Sequence, residues 1–372
     1  MRIGVPKETA AGERRVALVP DVVRRLTGAG HEVVIESGAG DAAGIPDDDF
    51  TGAGAQIGDP WGAEVIARVA PGAAPNLRAE HVLIGFLAPL TDADGVQAIA
   101  QTGATAFAME AIPRISRAQS MDALSSQATV SGYLSVIIAA GEMPRFLPML
   151  MTAAGTIRPA QVLVLGAGVA GLQAIATSRR LGAVVTAFDV RSAVKEQIQS
   201  LGAKFFEVEG IGDAEGSGGY ARELTDDEQE VQRKALTEQM AKSDVIITTA
   251  LVPGRPAPKL ISAEAVHGMR PGSVIVDLAA EAGGNCELAK PGETYTTDNG
   301  VIIAAPLNLP SRMAQHASQL YARNVQSLLD LLAAEDKTLN LDFTDEVIAG
   351  ACVVRDGEIV HAGAKQAVEA AA

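Results

Sequence analysis

The sequence predicts an α/β protein whose two domains are built on parallel sheets, and three observations lead to this fold class. Short apolar runs alternate with longer amphipathic segments along most of the chain, which is the order that parallel strands with covering helices require. The chain has 372 residues, enough for two hydrophobic cores. In the middle of the chain, a glycine-rich turn joins an apolar run to a helical segment between Gln161 and Val190.

This central turn has the pattern of a dinucleotide-binding motif. Residues 162–165 form an apolar run that leads into Gly166, Gly168 and Gly171. The first glycine allows the sharp exit from a strand, the second lets a pyrophosphate approach the backbone, and the third lets the helix pack closely on the strand. The free N–H groups at the start of that helix favour phosphate. Asp189 ends the next apolar run, where a carboxylate can bind both ribose hydroxyls.

The spacing favours a dinucleotide site over the alternative of a simple tight turn between strand and helix. Asp189 also favours NAD over NADP, because its charge would face the extra 2′-phosphate. A hydrogen bond to a charged group contributes roughly 1.5–3 kcal/mol that NADP would forfeit. Arg191 lies two residues further on and would weaken that preference. The sequence therefore predicts a Rossmann-like NAD-binding domain.

Composition and charge narrow the classes of partner. The formal net charge of −15 argues against nucleic acid and against direct binding to an anionic membrane surface. Cys286 and Cys352 have no metal-ligand spacing, so we expect no metal site and reduced thiols in the cytoplasm. No uninterrupted apolar run reaches the roughly 18–20 residues of a membrane helix, so we expect no membrane insertion.

Residues 110–127 are unusually dense in hydrogen-bonding side chains. These are Arg114, Ser116, Arg117, Gln119, Ser120, Asp122, Ser125, Ser126 and Gln127. Gln119, Asp122 and Ser126 have the spacing of one helical face. A solvated loop with a helix cap would account for one or two of these residues. We favour a polar loop that lines a site and precedes an apolar helix over residues 130–140.

Two further segments are candidates for the cofactor site. Residues 209–222 are rich in glycine and acids and form either a disordered loop or a mobile flap that carries Tyr220 to the site. Composition does not separate these alternatives. Residues 248–251 end at Leu251 and follow a buried strand, so they should face the cofactor by the carboxyl-end rule for open α/β sheets.

The order of the elements predicts a nested arrangement of domains. A long helix over residues 311–334 would return the chain to the first domain. The tail then alternates apolar and polar residues around a hairpin turn at Asp356 and Gly357. We expect a discontinuous first α/β domain from residues 1–125 and 313–372, with the NAD-binding domain, residues 126–312, inserted into it.

The sequence resembles the alanine dehydrogenase and transhydrogenase family along nearly its whole length. The matching segments are MRIGVPKE with RVALVP, the glycine motif with AFDVR, TTALVPGRPAPKLI and GSVIVDLAAEAGGN. Within the family, PRISRAQSMDALSSQ and MTAAGT resemble the NAD(H)-binding alpha subunits of proton-translocating NAD(P) transhydrogenases. The chain ends before any membrane helices, so it resembles the form in which this domain is a separate polypeptide.

The resemblance implies roles for individual residues. Arg114, Gln119 and Asp122 match the loop that surrounds the nicotinamide and its ribose, and these are the candidate catalytic residues. The resemblance implies further cofactor contacts at Ser125, Ala167, Gly168, Val169, Asp189, Val190, Arg191, Gly219 and Tyr220. Of these, Gly219 and Tyr220 match a mobile loop that closes over NAD(H).

The resemblance also implies partners. NADP(H) would be held by another subunit, and proton translocation would occur in membrane-spanning partner chains. The chain would form a homodimer and lie on the inner face of the cytoplasmic membrane through its partner. Hydride transfer needs the two nicotinamide C4 atoms within about 3–3.5 Å, and no proton donor to a small substrate is required.

Two alternative functions stay open from the sequence. An alanine dehydrogenase needs a lysine and a histidine to bind and protonate its oxo acid, but this sequence has Arg68 near the lysine position and Phe86 at the histidine position. Arg15, by contrast, matches a substrate-binding arginine. Glu281 stands where a catalytic aspartate would be. A phenyl ring cannot replace an imidazole in acid–base chemistry. A non-catalytic NAD sensor is the third possibility, although the Arg114–Asp122 apparatus exceeds what tight binding alone needs.

Overall fold

The computed structural model describes residues 1–70, 76–208, 225–252 and 254–371. The chain divides into two compact units, the first of residues 1–127 with 310–372 and the second of residues 128–309. The second unit thus lies within the first in sequence. The domain limits expected above, 1–125 with 313–372 and 126–312, stay a prediction.

Helices and strands alternate through most of the chain. The helices are α1 (Pro20–Gly28), α2 (Asp47–Gly52), α3 (Ala93–Gln101), α4 (Ala123–Glu142), α5 (Val169–Arg180), α6 (Lys195–Ser200), α7 (Asp226–Met240), α8 (Ala263–His267), α9 (Leu309–Arg312), α10 (Ala314–Leu331), α11 (Glu346–Ala351) and α12 (Ala362–Ala371). The strands are β1 (Arg2–Val5), β2 (Glu32–Ile35), β3 (Gln56–Ile57), β4 (Val65–Ala67), β5 (Val82–Gly85), β6 (Thr105–Ala108), β7 (Leu150–Thr152), β8 (Gly155–Ile157), β9 (Gln161–Leu165), β10 (Val184–Phe188), β11 (Lys204–Phe205), β12 (Val245–Thr248), β13 (Val274–Asp277), β14 (Thr294–Thr296), β15 (Ile302–Ala304), β16 (Cys352–Arg355) and β17 (Glu358–Ile359).

The first unit is built on a sheet in the order β17-β16-β6-β5-β4-β1-β2-β3. Its pairs are parallel from β6 to β3, and β16 runs antiparallel to both β6 and β17. Every residue of β4, β5 and β6 is buried, as expected for parallel strands covered on both faces. The α/β fold class predicted from the sequence is therefore confirmed in this unit.

The second unit has the sheet order β11-β10-β9-β12-β13-β15-β14, and among its described strands in this sheet only β14 pairs antiparallel to its neighbour. The chain moves outward from β9 to β10 and β11, then returns to β12 on the other side of β9. In such open sheets, the reversal creates a crevice at the carboxyl ends of the two strands on either side of it. This crevice is the first place to look for a ligand site.

The polar segment is not the loop expected from the sequence but a short 3-10 helix over Ser116–Met121. Asp122 interrupts the helical path with ψ 85°, and α4 begins at Ala123. Asp122 accepts a hydrogen bond from the backbone N–H of Ser125 at 2.9 Å, which is the geometry of a helix N-cap. The break separates Gln119 from Ser126, so the predicted single helical face across these residues is wrong.

The C-terminal tail differs in part from its predicted alternation of strands. The stretch before the hairpin is helix α11, because the Asp345 side chain accepts hydrogen bonds from the backbone N–H groups of Val347 and Ile348 and caps the helix. The hairpin itself is confirmed between β16 and β17. Its turn residues, Asp356 and Gly357, have φ values of 48° and 82°, as a type I′ turn requires.

Among the described residues, α4 is one helix with the length and composition to cross a bilayer, with a mean hydropathy of 1.3. This segment was not predicted as a membrane span from the sequence, because serine and glycine residues interrupt its apolar runs. A core helix of a globular protein has the same properties, so a single helix of this kind indicates little. Gly132 of α4 packs directly on α5, since a Cβ there would lie 2.1 Å from the carbonyl oxygen of Ala170.

This close approach predicts opposite effects for two substitutions on α4. Gly132→Ala forces α4 away from Ala170, and overpacking of this kind costs about 1–3 kcal/mol, so the free energy of unfolding should fall. At Gly141, a Cβ meets nothing within 4 Å, so Gly141→Ala should raise stability by roughly 0.4–1 kcal/mol. Urea unfolding of both variants checks this, and equal effects would contradict the packing.

Candidate functional site

The glycine turn at the end of β9 has the backbone geometry that its sequence predicts. Gly166 has φ 93°, which a residue with a side chain rarely adopts. At Gly171, a Cβ would lie 1.9 Å from the carbonyl oxygen of Gly166, so only glycine allows α5 to pack this closely. At Gly168, a Cβ would meet nothing within 4 Å. The backbone at Gly168 therefore faces open space, as an approaching pyrophosphate needs.

Helix α5 begins directly after this turn at Val169, and Val169 itself is exposed. The first N–H groups of an α-helix have no partner within the helix, and with the helix dipole they favour anions. The N–H of Ala167 points elsewhere and donates to Asp189 Oδ2 at 2.7 Å. Asp189 thus fixes the turn as well as following β10.

Both oxygens of the Asp189 carboxylate already accept hydrogen bonds. The Arg191 side chain donates from Nε to Oδ1 at 2.9 Å and from Nη2 to Oδ2 at 2.8 Å. The Arg191 backbone N–H also donates to Oδ1, at 2.9 Å. The sequence placed Arg191 near Asp189 but did not predict this bidentate ion pair. Arg191 holds the carboxylate in a fixed orientation, and half-buried Val190 lies between the pair in sequence.

The end of β12 is tied to the glycine turn. The Thr249 N–H donates to the Leu165 carbonyl at 2.8 Å, and its hydroxyl donates to the Gly166 carbonyl at 3.1 Å. The buried Thr248 hydroxyl donates to Asp277 Oδ1 at 3.0 Å. Leu251 follows as an exposed apolar side chain. Residues 248–251 therefore lie at the crevice that the reversal of strand order creates, as the carboxyl-end rule predicts.

Asn285 is a structural residue of this crevice that was not predicted from the sequence. Its fully buried side chain accepts from the Ala250 N–H at 3.1 Å and donates to the Ala250 carbonyl at 2.9 Å. It also donates to the Pro258 carbonyl at 2.8 Å. The preceding Gly283 and Gly284 both have positive φ. Paired glycines before an asparagine were the available signal, although such a pair usually indicates only a turn.

The predicted nicotinamide loop belongs to the first unit. Ala118 and Met121 are buried in its core, whereas Gln119 is exposed. The two Asp122 oxygens accept from the N–H and the hydroxyl of Ser125, at 2.9 and 2.6 Å. The structure therefore brings Asp122 and Ser125 into direct contact. Arg114 is exposed before the 3-10 helix.

The predicted site residues divide by position in the chain. Residues 166–171, 189–191 and Leu251 all belong to the second unit and surround the carboxyl ends of β9, β10 and β12. Arg114, Gln119, Asp122 and Ser125 belong to the first unit. Gly219 and Tyr220, predicted to close over the cofactor, lie outside the described residues.

The first unit contains a cluster of buried charged side chains. The Arg15 guanidinium donates from Nε and Nη2 to the two oxygens of Glu13 at 2.8 and 2.6 Å, and from Nη1 to Gln127 Oε1 at 2.9 Å. The Phe86 ring lies 5.9 Å from the guanidinium carbon, within the range of cation–π attraction. Glu13 is thus already paired with Arg15, the side chain that the carboxylate of a small-acid substrate would need.

Glu8 and Glu110 are two further buried carboxyl groups of the first unit, and burial raises the pKa of both. Glu8 forms an ion pair with Arg68 at 3.4 Å and accepts from the Val69 N–H at 2.6 Å, and both contacts oppose the effect of burial. Glu110 Oε1 accepts from the N–H groups of residues 87 and 88. Its Oε2 is buried with no hydrogen-bond partner among the described residues.

Comparison with known proteins places the chain in one family. The profile of the alanine dehydrogenase/PNT N-terminal domain matches residues 4–131, and that of the alanine dehydrogenase/PNT C-terminal domain matches residues 135–362. The chain belongs to the alanine dehydrogenase/PNT family. This membership confirms the family resemblance seen in the sequence.

Individual relatives of the family fall into two groups. The chain is 49% identical to the first part of the NAD(P) transhydrogenase alpha subunit of Rhodospirillum rubrum, over 97% of this chain and 98% of that protein. The structure of a transhydrogenase from Sinorhizobium meliloti superposes with a TM-score of 0.88 at 45% identity, covering 97% of this chain and 100% of that one. Identity to an alanine dehydrogenase of Halomonas elongata is lower, 31% over 99% of this chain and 96% of that enzyme.

The burial of Glu110 predicts a pH dependence of stability. Its folded-state pKa lies above the ordinary value of 4.5, so its contribution is fully present below that pH and is lost as the pH rises through the folded pKa. The free energy of unfolding of the wild type should therefore fall relative to Glu110→Gln as the pH rises above 4.5. Urea unfolding across this range measures the difference.

Exposed Glu264 supplies the control for this experiment. Glu264→Gln removes an exposed carboxyl group, and its unfolding is measured across the same pH range as the reference variant. A wild type that gains stability relative to Glu110→Gln with rising pH would contradict the burial argument.

Proposed function

We propose that this chain is the NAD(H)-binding component of a proton-translocating transhydrogenase, and that it passes hydride between NADH and NADP held by a partner subunit. The observation that carries the proposal is the turn at Gly168, whose backbone faces open space at the strand reversal. Similarity to NAD(P) transhydrogenase alpha subunits over nearly the whole chain supports the reaction.

The residues at this turn fit a dinucleotide. The first N–H groups of α5 would bind the pyrophosphate beside Gly168. Asp189 would bind the adenosine ribose once the Arg191 side chain moves aside, since a carboxylate has about four acceptor positions and the hydrogen bonds from Ala167 and Arg191 fill all four. Leu251 would supply an apolar wall. The nicotinamide ring supplies the hydride chemistry, and the protein supplies binding and orientation.

The first unit would supply the groups around the nicotinamide. Asp122 and Arg114 would orient the ring and its ribose, and Ser125 would contact the carboxamide. Exposed Gln119 would reach toward the partner's cofactor or loop. Gly219 and Tyr220 would close over NAD(H). None of these roles requires a proton donor to a small substrate.

An alanine dehydrogenase activity fits the first unit less well. The Arg15 guanidinium is bound at close range by Glu13 and Gln127, so a substrate carboxylate would have to displace a buried ion pair. Phe86 has no group that can donate or accept a proton, and Arg68 is not a general acid or base at neutral pH. Binding without catalysis, as in an NAD sensor, would leave exposed Gln119 without a function.

We further propose that the chain forms a homodimer and acts with NADP-binding and membrane-spanning subunits at the inner face of the cytoplasmic membrane. Apolar residues of the β7–β8 hairpin region support the homodimer, because Met149 and Met151 are 58% and 71% exposed. A large exposed apolar patch is typical of a protein interface. A mass in solution of twice that of the chain is the expected result, and a monomer at micromolar concentration would contradict it.

Hydride transfer to a partner subunit tests the central proposal. The purified chain is mixed with an NADP-binding transhydrogenase subunit, and transfer from NADH to an NADP analogue is followed by absorbance. We expect transfer that requires both proteins. Oxidation of NADH by the chain alone with pyruvate and ammonia would favour alanine dehydrogenase, and NADH binding without either reaction would favour a sensor.

The glycine turn gives a more local prediction. Gly168→Ala should leave the melting temperature within about 2 °C, because the new methyl group meets no protein atom. It should weaken NADH binding about tenfold or more, because the methyl group would occupy the space of the pyrophosphate. Calorimetric titration measures this, with Gly141→Ala as the control of unchanged affinity. Equal NADH affinity in the wild type and Gly168→Ala would place the pyrophosphate elsewhere.

A further inference from the structure

Arg117 joins the polar 3-10 helix to a distant part of the first unit. Its guanidinium donates from Nη1 to Asp345 Oδ2 at 2.9 Å and from Nη2 to Asp345 Oδ1 at 2.8 Å. A third, longer contact runs from Nε to Glu346 Oε1 at 3.4 Å. This parallel two-bond arrangement fixes the direction of both side chains more tightly than a single contact does.

Asp345 is itself held firmly, so it can serve as an anchor. Its Oδ1 also accepts from the N–H of Val347 at 2.8 Å and of Ile348 at 3.3 Å, which caps α11. The hydrogen bonds from Arg117 lower the pKa of Asp345 to about 2. A carboxyl group with a depressed pKa makes its contribution above its ordinary pKa and loses it as the pH falls through the folded value. The ion pair therefore persists at every pH at which a dehydrogenase is assayed.

The other side of the 3-10 helix is held by α10 and by the core. Asn324 Nδ2 donates to the Ser120 carbonyl at 2.8 Å, and Ala118 and Met121 are buried. Together with Arg117, these contacts hold the helix on both sides of Gln119. The backbone of Gln119 thus has little freedom, although its side chain is exposed.

The ion pair is poorly placed to serve stability alone. The Arg117 side chain is 44% exposed and that of Asp345 is 23% exposed, and exposed pairs contribute little to the free energy of folding. Its geometric effect is larger, because Arg117 is only two residues from Gln119 and five from Asp122. Displacement of a positioning group by about 1 Å can reduce a rate about a hundredfold.

We infer that Arg117 is a positioning residue, and that its ion pair with Asp345 sets the placement of Gln119 and Asp122 for hydride transfer. This inference rests on the proposed function for its kinetic consequence. Its structural component, the anchoring of residues 116–122 to α11, is independent of that function.

The test compares variants in the reconstituted assay with the NADP-binding subunit. At saturating NADH, Arg117→Ala should transfer hydride about ten- to a hundredfold more slowly, with the dissociation constant for NADH changed less than about twofold and the melting temperature within about 2 °C. Arg117→Lys keeps the charge but loses the planar fork that makes two parallel hydrogen bonds, so it should recover some of the rate. Asp345→Asn keeps a helix cap but loses the charge, so it should be slow as well.

Arg24→Ala is the matched control. Arg24 forms an exposed ion pair with Asp21 at 3.1 Å in the same unit, so its removal costs a similar surface contact and should not change the rate. Arg117→Ala with the wild-type rate, or with a rate loss that Arg24→Ala reproduces, would overturn the inference. A rate loss explained entirely by weaker NADH binding would do so too.

Amide hydrogen exchange separates this inference from the proposed function. In Arg117→Ala, exchange should rise over residues 116–122 and stay unchanged in β9 and α5. If the wild type transfers no hydride with the partner subunit, the proposed function is wrong, and the exchange result alone then decides the anchoring. Unchanged exchange over residues 116–122 would refute it.

Discussion

The reversal of strand order at β9 is the constraint on which the second unit depends. Because the chain leaves β9 toward β10 and leaves β12 in the opposite direction, toward β13, the segments that follow β9 and β12 separate and leave a crevice. The unit then stabilises that opening from its own backbone, through Thr249 on the turn at Gly166 and through Asn285 on Ala250. The contacts of Thr249 and Asn285 therefore hold these two walls of the crevice in place from within the unit.

Sequence reasoning succeeded where a residue has a local steric requirement. Gly166 needs positive φ, and Gly171 needs contact with the preceding carbonyl, so their spacing predicted the turn. It failed where the decisive partner is distant. Asn285 binds Ala250, 35 residues away, and nothing in the sequence indicates that pairing. The 3-10 helix over Ser116–Met121 was not predicted from the sequence. The cap at Asp122 interrupts the chain where the spacing of Gln119, Asp122 and Ser126 suggests one continuous helical face.

The buried charged side chains of the first unit show that a resemblance in sequence does not reveal which charged groups pair with each other. The sequence pointed to Arg15, Arg68 and Phe86 as departures from, or matches to, an amino-acid dehydrogenase. It did not point to Glu13 and Glu8, whose carboxylates neutralise the two arginines. Retaining a charged arginine in a buried place requires a counter-charge, and here Glu13 and Glu8 supply it.

Asp345 follows the whole second unit in sequence, and this order has a consequence for biosynthesis. The segment 116–122 emerges early from the ribosome, but its anchor at Asp345 and the helix that holds Ser120 are made more than 200 residues later. Until then, neither Arg117 nor the Ser120 carbonyl has the hydrogen-bond partner that it has in the folded unit. The polar segment can therefore gain these contacts only after the whole second unit has been made.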